Sequence, residues 1–466
     1  MNFDQRCSIL DQRINTKKQE NNLCFILCDK FWRALRNSIP FIPSLRPDII
    51  IAERWDPGSE FVLENTGDTI WSRHYLDNWD AFYQKLAYRV GSRKGRVFSW
   101  VPKQQLWNIG VPLCENNEIR WYLENKTNLS AILKEAWVDV WQFSLKQDTF
   151  ESKDHVPDFL VLEKKYGLPF VMQWWSKWGD GTIIVESSGD FDRKNWLSGS
   201  VRVSEFCNKQ YSSIYACVVP TWDKVDGIVV MDRPSYKVVW VSQNGISNVF
   251  WGGCDWSQVP DIDMEVTRKN VEKIWLYLLR QFWYKWALML EWFFIDWKFV
   301  FNELNARLWW GNEISGFNQI LHSEIPIQAI HYALQLGLPC NDLIKKDEFH
   351  EKHFNRQSGG CFYIKVVWKD DQNFQALSLS EGLYAYDSGS ISSTKSTQDP
   401  VTTSIDRWKI LLSNLPQCQT WCKKDAHICM IEWMAWPSDR VITWPKSVNH
   451  AITQVSNLIY NSLVYA

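Results

Sequence analysis

Four polar side chains in and beside one apolar stretch have the types and spacing of a site that handles phosphate. Glu303, Asn305 and Arg307 alternate along the chain, and Glu291 interrupts an apolar run just upstream. At the two-residue period of a β-strand, the three alternating side chains lie on one face of a sheet. Carboxylate and carboxamide oxygens are ligands for Mg²⁺, and a guanidinium binds phosphate or carboxylate with its planar fork. The set predicts a magnesium site that carries nucleotide phosphates.

The chain around these residues predicts a β-hairpin. Two aliphatic and aromatic runs, 287–295 and 299–304, flank the charged residues 296–298, which form a tight turn. Spacing alone leaves an alternative open, because a Glu-x-Asn-x-Arg segment also fits an antiparallel hairpin with a charged edge and no ligand.

These residues resemble the metal-binding end of the ATP-grasp family. In that family an acid on one strand and a Glu-x-Asn-x-Arg segment on the next hold one or two Mg²⁺ ions against ATP. The resemblance implies a fold of two α+β lobes that clasp ATP, with Mg²⁺ (or Mn²⁺) as the metal. It also implies that Glu291, Glu303 and Asn305 are metal ligands and that Arg307 is a catalytic residue, which clamps an acylphosphate.

A lysine precedes the helix that opens the middle of the chain. Thr127 or Asn128 can cap this predicted helix, which runs to about residue 136. In ATP-grasp proteins a lysine just before a helix often reaches the ATP phosphates, so the resemblance implies that role for Lys126. Taken alone, the same lysine is equally an ordinary solvated side chain.

A small-residue loop between two predicted strands, 166–173 and 183–185, resembles the ATP-grasp phosphate loop. Backbone N–H groups of such a loop can fold over phosphates. The family usually carries a lysine where this chain has Gln173, so either Lys177 supplies the charge as a second catalytic residue or this branch uses glutamine. An ordinary hairpin loop remains the alternative. The nucleotide-binding positions implied here are Gln173, Lys177, Gly179, Gly181 and Thr182.

The predicted strand 201–206 ends in an acid and an aromatic residue. In ATP-grasp proteins the segment between the two lobes pairs its backbone with adenine, and a nearby acid binds the nucleoside. Glu205 and Phe206 match that hinge, so the resemblance implies that they bind the nucleotide. Without the family, Glu205 is a surface residue on a strand edge.

Composition and charge limit the class of protein. The chain has 466 residues, 45% hydrophobic and 22% charged, which allows roughly three domains with a sizeable core. Its net charge is −2 without a basic run, so the electrostatic footprint of a nucleic-acid binder is missing. Charged residues interrupt the most apolar segment, 274–301, and we therefore expect no membrane span.

The cysteines indicate a reducing compartment. There are 12, none in a Cys-x-x-Cys pair, and the opening residues lack the apolar core of a secretory signal. The pattern predicts reduced thiols in a cytoplasmic protein. Small buried thiols are the common case. An alternative metal set, whose spacing fits no familiar zinc module, is Cys418, Cys422, His427 and Cys429.

The order of the motifs predicts an α+β and α/β fold in three domains. An N-terminal α/β lead-in domain covers 1–124, and an ATP-grasp domain with its hinge near residue 205 covers 125–320. A small C-terminal α+β closing domain covers 321–466. The resemblance to the family extends over the middle domain, close to half the chain.

Several further elements follow from hydrophobic periodicity and turn residues. We expect a buried strand at 48–53, a helix within 75–91 that ends at Gly91, and a helix within 262–282. Residues 1–22 are polar and are expected to be frayed. A loop is expected at 311–316 and a helix in the tail, 446–463.

Two classes of function fit these residues. In the first, an ADP-forming ligase, ATP phosphorylates a substrate carboxylate to an acylphosphate, and an amine or thiol displaces the phosphate. Lys126 and Lys177 then offset phosphate charge, while Arg307 clamps the acylphosphate. The second is a catalytically weak or inactive ATP-grasp-like protein that binds nucleotide or a partner, which Gln173 favours. Release of ADP separates the two classes.

The ligase hypothesis also specifies partners. It requires small-molecule carboxylate and amine substrates, and it involves neither nucleic acid nor a membrane. A homodimer stays open. The sequence identifies no particular substrate, because the regions outside 125–320 carry no motif that we can assign.

Tryptophan is abundant and glycine is scarce. The chain has 30 tryptophans and 21 glycines, although glycine alone averages about 7% of residues in proteins. Some bacteria read UGA as glycine, so translation of such a gene with UGA as tryptophan would write tryptophan in place of glycine. Our hypothesis is that many tryptophans here arose in this way; a protein truly rich in tryptophan is the alternative. The candidates stand in the phosphate loop, beside the metal residues or at turn-like sites: Trp137, Trp141, Trp174, Trp175, Trp178, Trp240, Trp251, Trp286, Trp292, Trp309, Trp310, Trp433, Trp436 and Trp444.

Overall fold

A computed structural model describes most of the chain up to residue 344 and short segments beyond it. The described residues are 1–28, 35, 38–52, 69–71, 78–98, 110–113, 117–138, 145–174, 181–207, 211–221, 226–239, 251–256, 264–295, 298–308, 312–344, 361–367, 374–377, 382–387, 390–393, 409–413, 427–434, 442–443, 447–448, 457–459, 461 and 463–465.

The helices of this part of the chain are, in order, α1 (Phe3–Glu20), α2 (Trp79–Val90), α3 (Asn117–Glu124), α4 (Leu129–Glu135), α5 (Phe159–Tyr166), α6 (Ser188–Phe191), α7 (Met264–Phe282), α8 (Asn312–Leu321) and α9 (Ile327–Gln335).

The strands are β1 (Leu23–Cys28), β2 (Ile49–Ala52), β3 (Thr69–Trp71), β4 (Lys94–Phe98), β5 (Gly110–Pro112), β6 (Gln147–Phe150), β7 (Phe170–Trp174), β8 (Thr182–Val185), β9 (Val201–Glu205), β10 (Tyr211–Pro220), β11 (Gly227–Met231), β12 (Ser235–Val239), β13 (Trp251–Asp255), β14 (Leu288–Ile295), β15 (Lys298–Asn305), β16 (Cys361–Val367), β17 (Phe374–Leu377), β18 (Gly382–Asp387), β19 (Ser390–Ser393), β20 (Lys409–Ser413), β21 (His427–Met434), β22 (Ile442–Thr443), β23 (Ser447–Val448) and β24 (Leu463–Tyr465).

The chain divides into two compact units. The first unit comprises residues 1–114, 238–259 and 308–466, and the second comprises 115–237 and 260–307. Each unit is assembled from separate segments of the sequence. The division into three consecutive domains stays a prediction.

The first unit contains a parallel sheet with the strand order β3-β2-β1-β4-β5. Its central strand β1 is an unbroken apolar run that is buried from Leu23 to Leu27, as expected for a parallel strand covered on both faces. The predicted strand at 48–53 is confirmed as β2. The predicted helix is confirmed as α2, and it ends at Gly91, whose φ of 61° is readily adopted by glycine.

The expectation that residues 1–22 are frayed is wrong. They form α1, whose side chains at positions 7, 10 and 14 are buried at helical spacing. Asn2 and Gln5 close a capping box at its start, with Gln5 N donating to Asn2 Oδ1 at 2.9 Å. The buried face is narrow, and the many polar residues around it concealed the period.

The first unit also contains an antiparallel series of strands in the order β13-β16-β21-β20-β18-β19. Two short pairs, β17 with β24 and β22 with β23, accompany it. The expected loop at 311–316 is wrong from residue 312 onward, because these residues begin α8. The expected tail helix is wrong where the tail forms β23 and begins β24, although residues 457–459 are helical.

The second unit contains two antiparallel sets of strands. One is a four-stranded sheet in the order β6-β9-β7-β8, with its core built from alternating residues such as Phe170, Met172 and Val203. The other has the order β15-β14-β10-β12, with β11 also paired to β10. The predicted helix within 262–282 is confirmed as α7, which packs its buried face on β10 and β11.

The predicted hairpin at the centre of the sequence is confirmed. β14 and β15 pair antiparallel, with Glu291 opposite Glu303 and Met289 opposite Asn305. The register shifts after Glu291, because Trp292 is paired with Phe301. Asn302 is thus the extra residue of a β-bulge, and a bulge re-aims the side chains beside it.

Candidate functional site

The hairpin brings two carboxylates to one place inside the second unit. Glu291 is only 1% exposed, and Glu303 lies directly across the strand pair from it. Opposed like charges destabilise a strand pair unless other groups compensate for them. The surrounding side chains supply that compensation.

Glu291 is held by three donors. Lys237 on β12 forms a buried ion pair with its Oε1, Asn305 Nδ2 donates to the same oxygen at 3.0 Å, and the Tyr211 hydroxyl donates to Oε2. The pKa of Glu291 is raised to about 7, mainly by burial and secondly by the negative charge of Glu303. Lys237 acts in the opposite direction and lowers this pKa. Burial beside Glu291 also raises the pKa of Tyr211, which keeps its hydroxyl as a donor.

Glu303 is held in its charged form. Its Oε2 lies 2.7 Å from Lys126 Nζ, and its Oε1 accepts a hydrogen bond from Asn305 Nδ2 at 3.1 Å. Burial acts to raise the pKa of Glu303, but Lys126 and Lys237 together hold it well below its usual range. The two opposed carboxylates are therefore inequivalent.

Lys126 contacts Glu303 from the turn before α4. Phosphate binding by Lys126 stays a prediction. The predicted helix is confirmed, although Asn128 makes no side-chain cap at its start. Instead Asn125 Oδ1 accepts from Thr127 N at 3.0 Å and shapes the turn that carries Lys126.

Arg307 is fixed at the end of β15. Its Nη2 donates to Asn305 Oδ1 at 2.8 Å, and its Nη1 forms an ion pair with Glu124 at the end of α3. Its backbone oxygen accepts from the Tyr215 hydroxyl at 3.1 Å. We call this connected set the carboxylate network: Lys126, Tyr211, Lys237, Glu291, Glu303, Asn305 and Arg307.

A second chain of contacts runs from the carboxylate network into the four-stranded sheet. Asn302 Nδ2 donates to the Tyr211 hydroxyl at 2.7 Å, and Asn302 Oδ1 accepts from Arg202 Nη2 at 2.7 Å. Arg202 Nε then donates to Gln173 Oε1 at 3.0 Å. Gln173 Nε2 in turn lies 3.3 Å from Thr182 Oγ1.

The described ends of the predicted phosphate loop are paired. Gln173 lies opposite Thr182 in the β7–β8 register, and Trp174 N donates to Gly181 O at 2.8 Å. Lys177 and Gly179 lie outside the described residues. Phosphate binding by this loop stays a prediction.

The predicted hinge residues lie at the end of β9. Glu205 Oε1 accepts from the Lys146 backbone N at 2.9 Å, and Glu205 N donates to Lys146 O at 3.0 Å. Both bonds tie β9 to the start of β6. Phe206 follows, on the segment that leads from the four-stranded sheet to β10. Adenine binding at Glu205 and Phe206 stays a prediction.

Sequence reasoning missed several members of the site. Lys237 is the single charged residue of β12, and Arg202 lies between two valines of β9; a charge flanked by β-branched or aromatic residues is a signal that could have found them. Tyr211 and Asn302 gave no such signal, because Tyr211 is an ordinary strand residue and Asn302 depends on the bulge. Glu124 stands at the end of an amphipathic helix and also gave none.

The donor set fits a hard divalent cation. Glu291, Glu303 and Asn305 supply carboxylate and carboxamide oxygens, which Mg²⁺ prefers. Asn305 Nδ2 donates to both carboxylates, which brings the three side chains together. Its Oδ1, the atom that would bind a cation, accepts from Arg307 Nη2, so the amide would have to turn to present that oxygen. The charge of Glu303 raises the pKa of Glu291, and a cation between the two carboxylates would relieve that repulsion.

Other metal sets are not supported in the described part of the chain. There, no group of three or more histidine, cysteine, aspartate or glutamate side chains is placed to hold a metal. Cys418 and Cys422 lie outside the described residues, so the alternative set that includes them stays untested. The described helices likewise include none with the length and apolar character needed to cross a membrane.

No protein-family model and no curated protein matches the sequence significantly. Solved structures do match the fold. The biotin carboxylase domain dimer of Hydrogenobacter thermophilus 2-oxoglutarate carboxylase, in complex with MgADP, ADP and bicarbonate, has a TM-score of 0.56 at 10% identity. The match covers 88% of this chain and 86% of that one.

Two further structures resemble the chain over nearly its whole length. Campylobacter jejuni biotin carboxylase, in a complex with an ATP ligand, has a TM-score of 0.57 at 12% identity, covering 95% of this chain and 92% of that one. N5-carboxyaminoimidazole ribonucleotide synthetase from Thermus thermophilus has a TM-score of 0.52 at 13% identity, covering 94% and 98%. At these identities the likeness shows the fold, and the chain has the ATP-grasp fold that its sequence resemblance implied.

Proposed function

We propose that the protein is an ATP-dependent, ADP-forming ligase that activates a substrate carboxylate as an acylphosphate for attack by an amine or a thiol. A pair of opposed carboxylates carries this proposal: Glu291, which is buried, and Glu303, which is partly buried, with Lys237 and Lys126 held against them. A structural hairpin gains nothing from burying like charges together, whereas a site for metal and phosphate requires such a set.

Glu291, Glu303 and Asn305 are the residues that would hold Mg²⁺. When bound there, the metal supplies neutralisation of the charge on the transferring phosphoryl group. The protein's own contribution is to fix the three side chains before the metal arrives. Tyr211 and Lys237 orient Glu291, and Arg307 orients Asn305.

Cations around the metal residues receive the phosphates. Lys126 offsets phosphate charge from the start of α4, and Lys177 does so from the predicted phosphate loop. Arg307, anchored by Glu124, clamps the acylphosphate as negative charge develops on it. Lys237 contributes a further buried positive charge beside Glu291.

The remaining nucleotide contacts are assigned to two segments. Backbone and side-chain groups at the phosphate loop, including Gln173, Gly179, Gly181 and Thr182, surround the phosphates. Glu205 and Phe206 hold the nucleoside at the hinge. A nucleotide complex with the adenine more than about 4 Å from the backbone of residues 204–207 contradicts the hinge assignment, because no hydrogen bond spans that distance.

The substrates are a small-molecule carboxylate and a small-molecule amine or thiol. Similar structures carry the names of biotin carboxylase and N5-carboxyaminoimidazole ribonucleotide synthetase, and one holds bicarbonate. These names support small carboxylates as the first compounds to test. Six cysteines among the described residues are buried thiols, which supports a reducing compartment such as the cytoplasm. A dimer, named for the Hydrogenobacter domain, is the assembly to test first by light scattering.

Release of ADP tests the proposal. The protein is incubated with ATP, Mg²⁺ and pools of carboxylates and amines, and ADP is measured with a coupled assay. Glu303→Gln should lower Mg²⁺-dependent ADP formation by about 10²-fold or more without unfolding the chain, because it removes one ligand charge and keeps the side-chain volume.

The matched control is Glu186→Gln, which makes the same change at an exposed glutamate of the second unit. It should retain full activity. Normal ADP formation by Glu303→Gln would refute the metal assignment.

A second candidate is an ATP-grasp-like protein that binds nucleotide without turnover. It is favoured by Gln173, whose neutral side chain is committed to Arg202. Retained ATP binding, with no ADP released from any substrate pool, would select this candidate over the ligase.

A further inference from the structure

Arg202 is a buried cation whose hydrogen-bond acceptors are all neutral. It is 2% exposed. Its Nε donates to Gln173 Oε1 at 3.0 Å, its Nη1 to the Asn302 backbone O at 2.8 Å, and its Nη2 to Asn302 Oδ1 at 2.7 Å. Within the described residues it forms no ion pair.

Such a guanidinium is costly to bury. Burial lowers the pKa of Arg202 to about 10, and the charge of Glu303 only partly restores it. The two nearby carboxylates are already engaged, since Glu291 is paired with Lys237 and Glu303 with Lys126. Arg202 therefore lacks a committed anion within the part of the chain that is described.

Several charged side chains surround this point. Among the described residues, four cations and three carboxylates are connected through the carboxylate network and the contacts of Arg202 and Glu124. The cations are Lys126, Arg202, Lys237 and Arg307, and the carboxylates are Glu124, Glu291 and Glu303. In a desolvated site, a guanidinium that has only neutral acceptors, as Arg202 has, attracts an anion strongly.

We propose that Arg202 determines specificity for the phosphates of the bound nucleotide, acting through space, and that Gln173 is its positioning residue. Gln173 lies directly opposite Arg202 in the β7–β9 register and is the penultimate residue of β7, where the predicted phosphate loop begins. A neutral amide at this position accepts from the guanidinium. A lysine there would place a second buried cation beside it.

This inference rests on the proposed function, and its test compares ligands with and without phosphate. Affinities for ATP and for adenosine are measured by calorimetry with EDTA present, so that metal does not contribute. Arg202→Gln should weaken ATP binding about tenfold, a change of about 1.4 kcal/mol, and leave adenosine binding unchanged. Arg202→Lys keeps the charge and should stay close to the unaltered protein.

The double variant Q173K/R202Q moves the positive charge across the strand pair. It should regain most of the ATP affinity that Arg202→Gln loses, while Gln173→Lys alone is destabilised by two adjacent buried cations. If Arg202→Gln does not fold, the double variant and Arg202→Lys still test the role of the charge.

Three results overturn the proposal. One is equal weakening of ATP and adenosine binding, which indicates a structural role only, and another is unchanged ATP affinity in a folded Arg202→Gln. The third is a double variant that binds ATP no better than Arg202→Gln. An unaltered protein that binds no ATP defeats the proposed function as well, so the two failures are distinguishable.

Two tryptophans, Trp137 and Trp283, have a left-handed backbone conformation. Trp137 has a φ of 56° and follows the C-cap of α4. Its N donates to Lys134 O at 3.1 Å and Val138 N donates to Leu133 O at 3.0 Å, which is the Schellman pattern with Trp137 at the position that glycine usually occupies.

Trp283 has a φ of 53° and directly follows α7. A bulky residue at positive φ is strained by about 1–3 kcal/mol and persists where packing compensates. The Trp137 indole receives little such compensation, because it is 85% exposed. Trp283 is 40% exposed, and Lys285 Nζ lies 5.7 Å from the centre of its ring.

We infer that positions 137 and 283 are glycine in the protein as its own cells make it, from UGA codons read as glycine. The excess of tryptophan over glycine across the chain agrees with this. By the same reassignment Trp174, Trp175 and Trp178 become glycines. The predicted phosphate loop then has the small residues that let backbone N–H groups approach phosphate.

The test is peptide mass spectrometry of the protein purified from the cells that encode it, read together with the gene. Glycine at positions 137 and 283, with UGA codons there, is the expected result. Tryptophan at either position, or a UGG codon, overturns the inference. This result does not depend on any activity of the protein.

A recombinant comparison tests the conformational argument. Trp137→Gly should raise the midpoint of thermal unfolding by about 2–4 °C, because it removes left-handed strain. The matched control, Trp121→Gly, changes an exposed tryptophan inside α3 and should lower the midpoint, because glycine destabilises a helix interior. A lower midpoint for Trp137→Gly would contradict the strain on which the inference depends.

Discussion

The carboxylate network of the second unit and the helices α8 and α9 of the first unit both bury polar side chains, but they do so in different ways. The network buries charged groups that contact one another, as Glu291 and Lys237 do. The helices bury uncharged groups: Gln319 Oε1 accepts from Ile327 N at 2.8 Å and so satisfies the start of α9. Neutral groups suffice to hold helices together, so the buried charges of the network need a reason beyond folding.

His331 of α9 and Glu291 of the carboxylate network also differ in protonation. His331 is buried in α9, and burial lowers its pKa to about 4, against a smaller opposing effect of the Leu113 backbone. It is therefore neutral near pH 7. Glu291, in the network, is instead held between a carboxylate and an ammonium group, with its pKa near neutrality.

The largest expected effect comes from breaking the buried ion pair. Lys237→Met should destabilise the protein by about 3–5 kcal/mol, because it leaves Glu291 buried without its cation. It should also lower ADP formation by about 10²-fold. Chemical denaturation and the ADP assay measure the two effects.

A second substitution separates stability from function. The double variant Lys237→Met/Glu291→Gln should recover most of the lost stability, because the amide still bonds Tyr211 and Asn305 without a buried charge. Its activity should stay low. Recovery of both properties would show that the network is structural, like the helices of the first unit.

The next largest expected effect is a pH dependence of stability that arises from the buried histidine of α9. His331 has a folded-state pKa of about 4 against an ordinary value of 6.5, so the unfolded chain binds more protons between these values. The contribution of His331 to the free energy of unfolding is fully present above pH 6.5 and is lost as the pH falls toward 4. Between pH 7 and pH 5 this group should remove about 2 kcal/mol from the free energy of unfolding.

Chemical denaturation at the two pH values measures that loss. The His331→Gln variant should lack this part of it, whereas His155→Gln, at an exposed histidine, should retain it. An unchanged pH dependence in His331→Gln would show that the imidazole is not kept neutral by burial.

The hairpin could be predicted from sequence because its signal is local. Alternating polar residues within an apolar run fix one strand face, and the order of Lys126 before a helix added a second local signal. The partners of that face could not be predicted in the same way. Lys237 lies 54 residues from Glu291 along the sequence. A contact between residues so far apart in sequence produces no periodic pattern that could predict it.

Two other features, the role of Asn302 and the helix α1, were not predicted from the sequence, for separate reasons. Asn302 contacts the network because of a β-bulge. The alternation of hydrophobic residues does not reveal such a one-residue shift of register. The helix α1 was missed because its apolar face is only one residue wide per turn, while the rest of the helix is strongly polar. In both places the deciding contacts come from outside the segment itself.

The smallest expected effect comes from two partly exposed ion pairs in the same unit as the network. Arg268 on α7 bonds Glu265 and Glu272 at 2.6 and 2.8 Å, distances typical of strong charge-assisted bonds. Water and salt screen these partners, and the side chains lose entropy in pairing. Arg268→Ala should therefore cost only about 0.5 kcal/mol, less at high salt, and leave ADP formation unchanged. If denaturation shows a loss as large as that of Lys237→Met, then burial is not what distinguishes the network, and charge pairing throughout the second unit must be treated as structural.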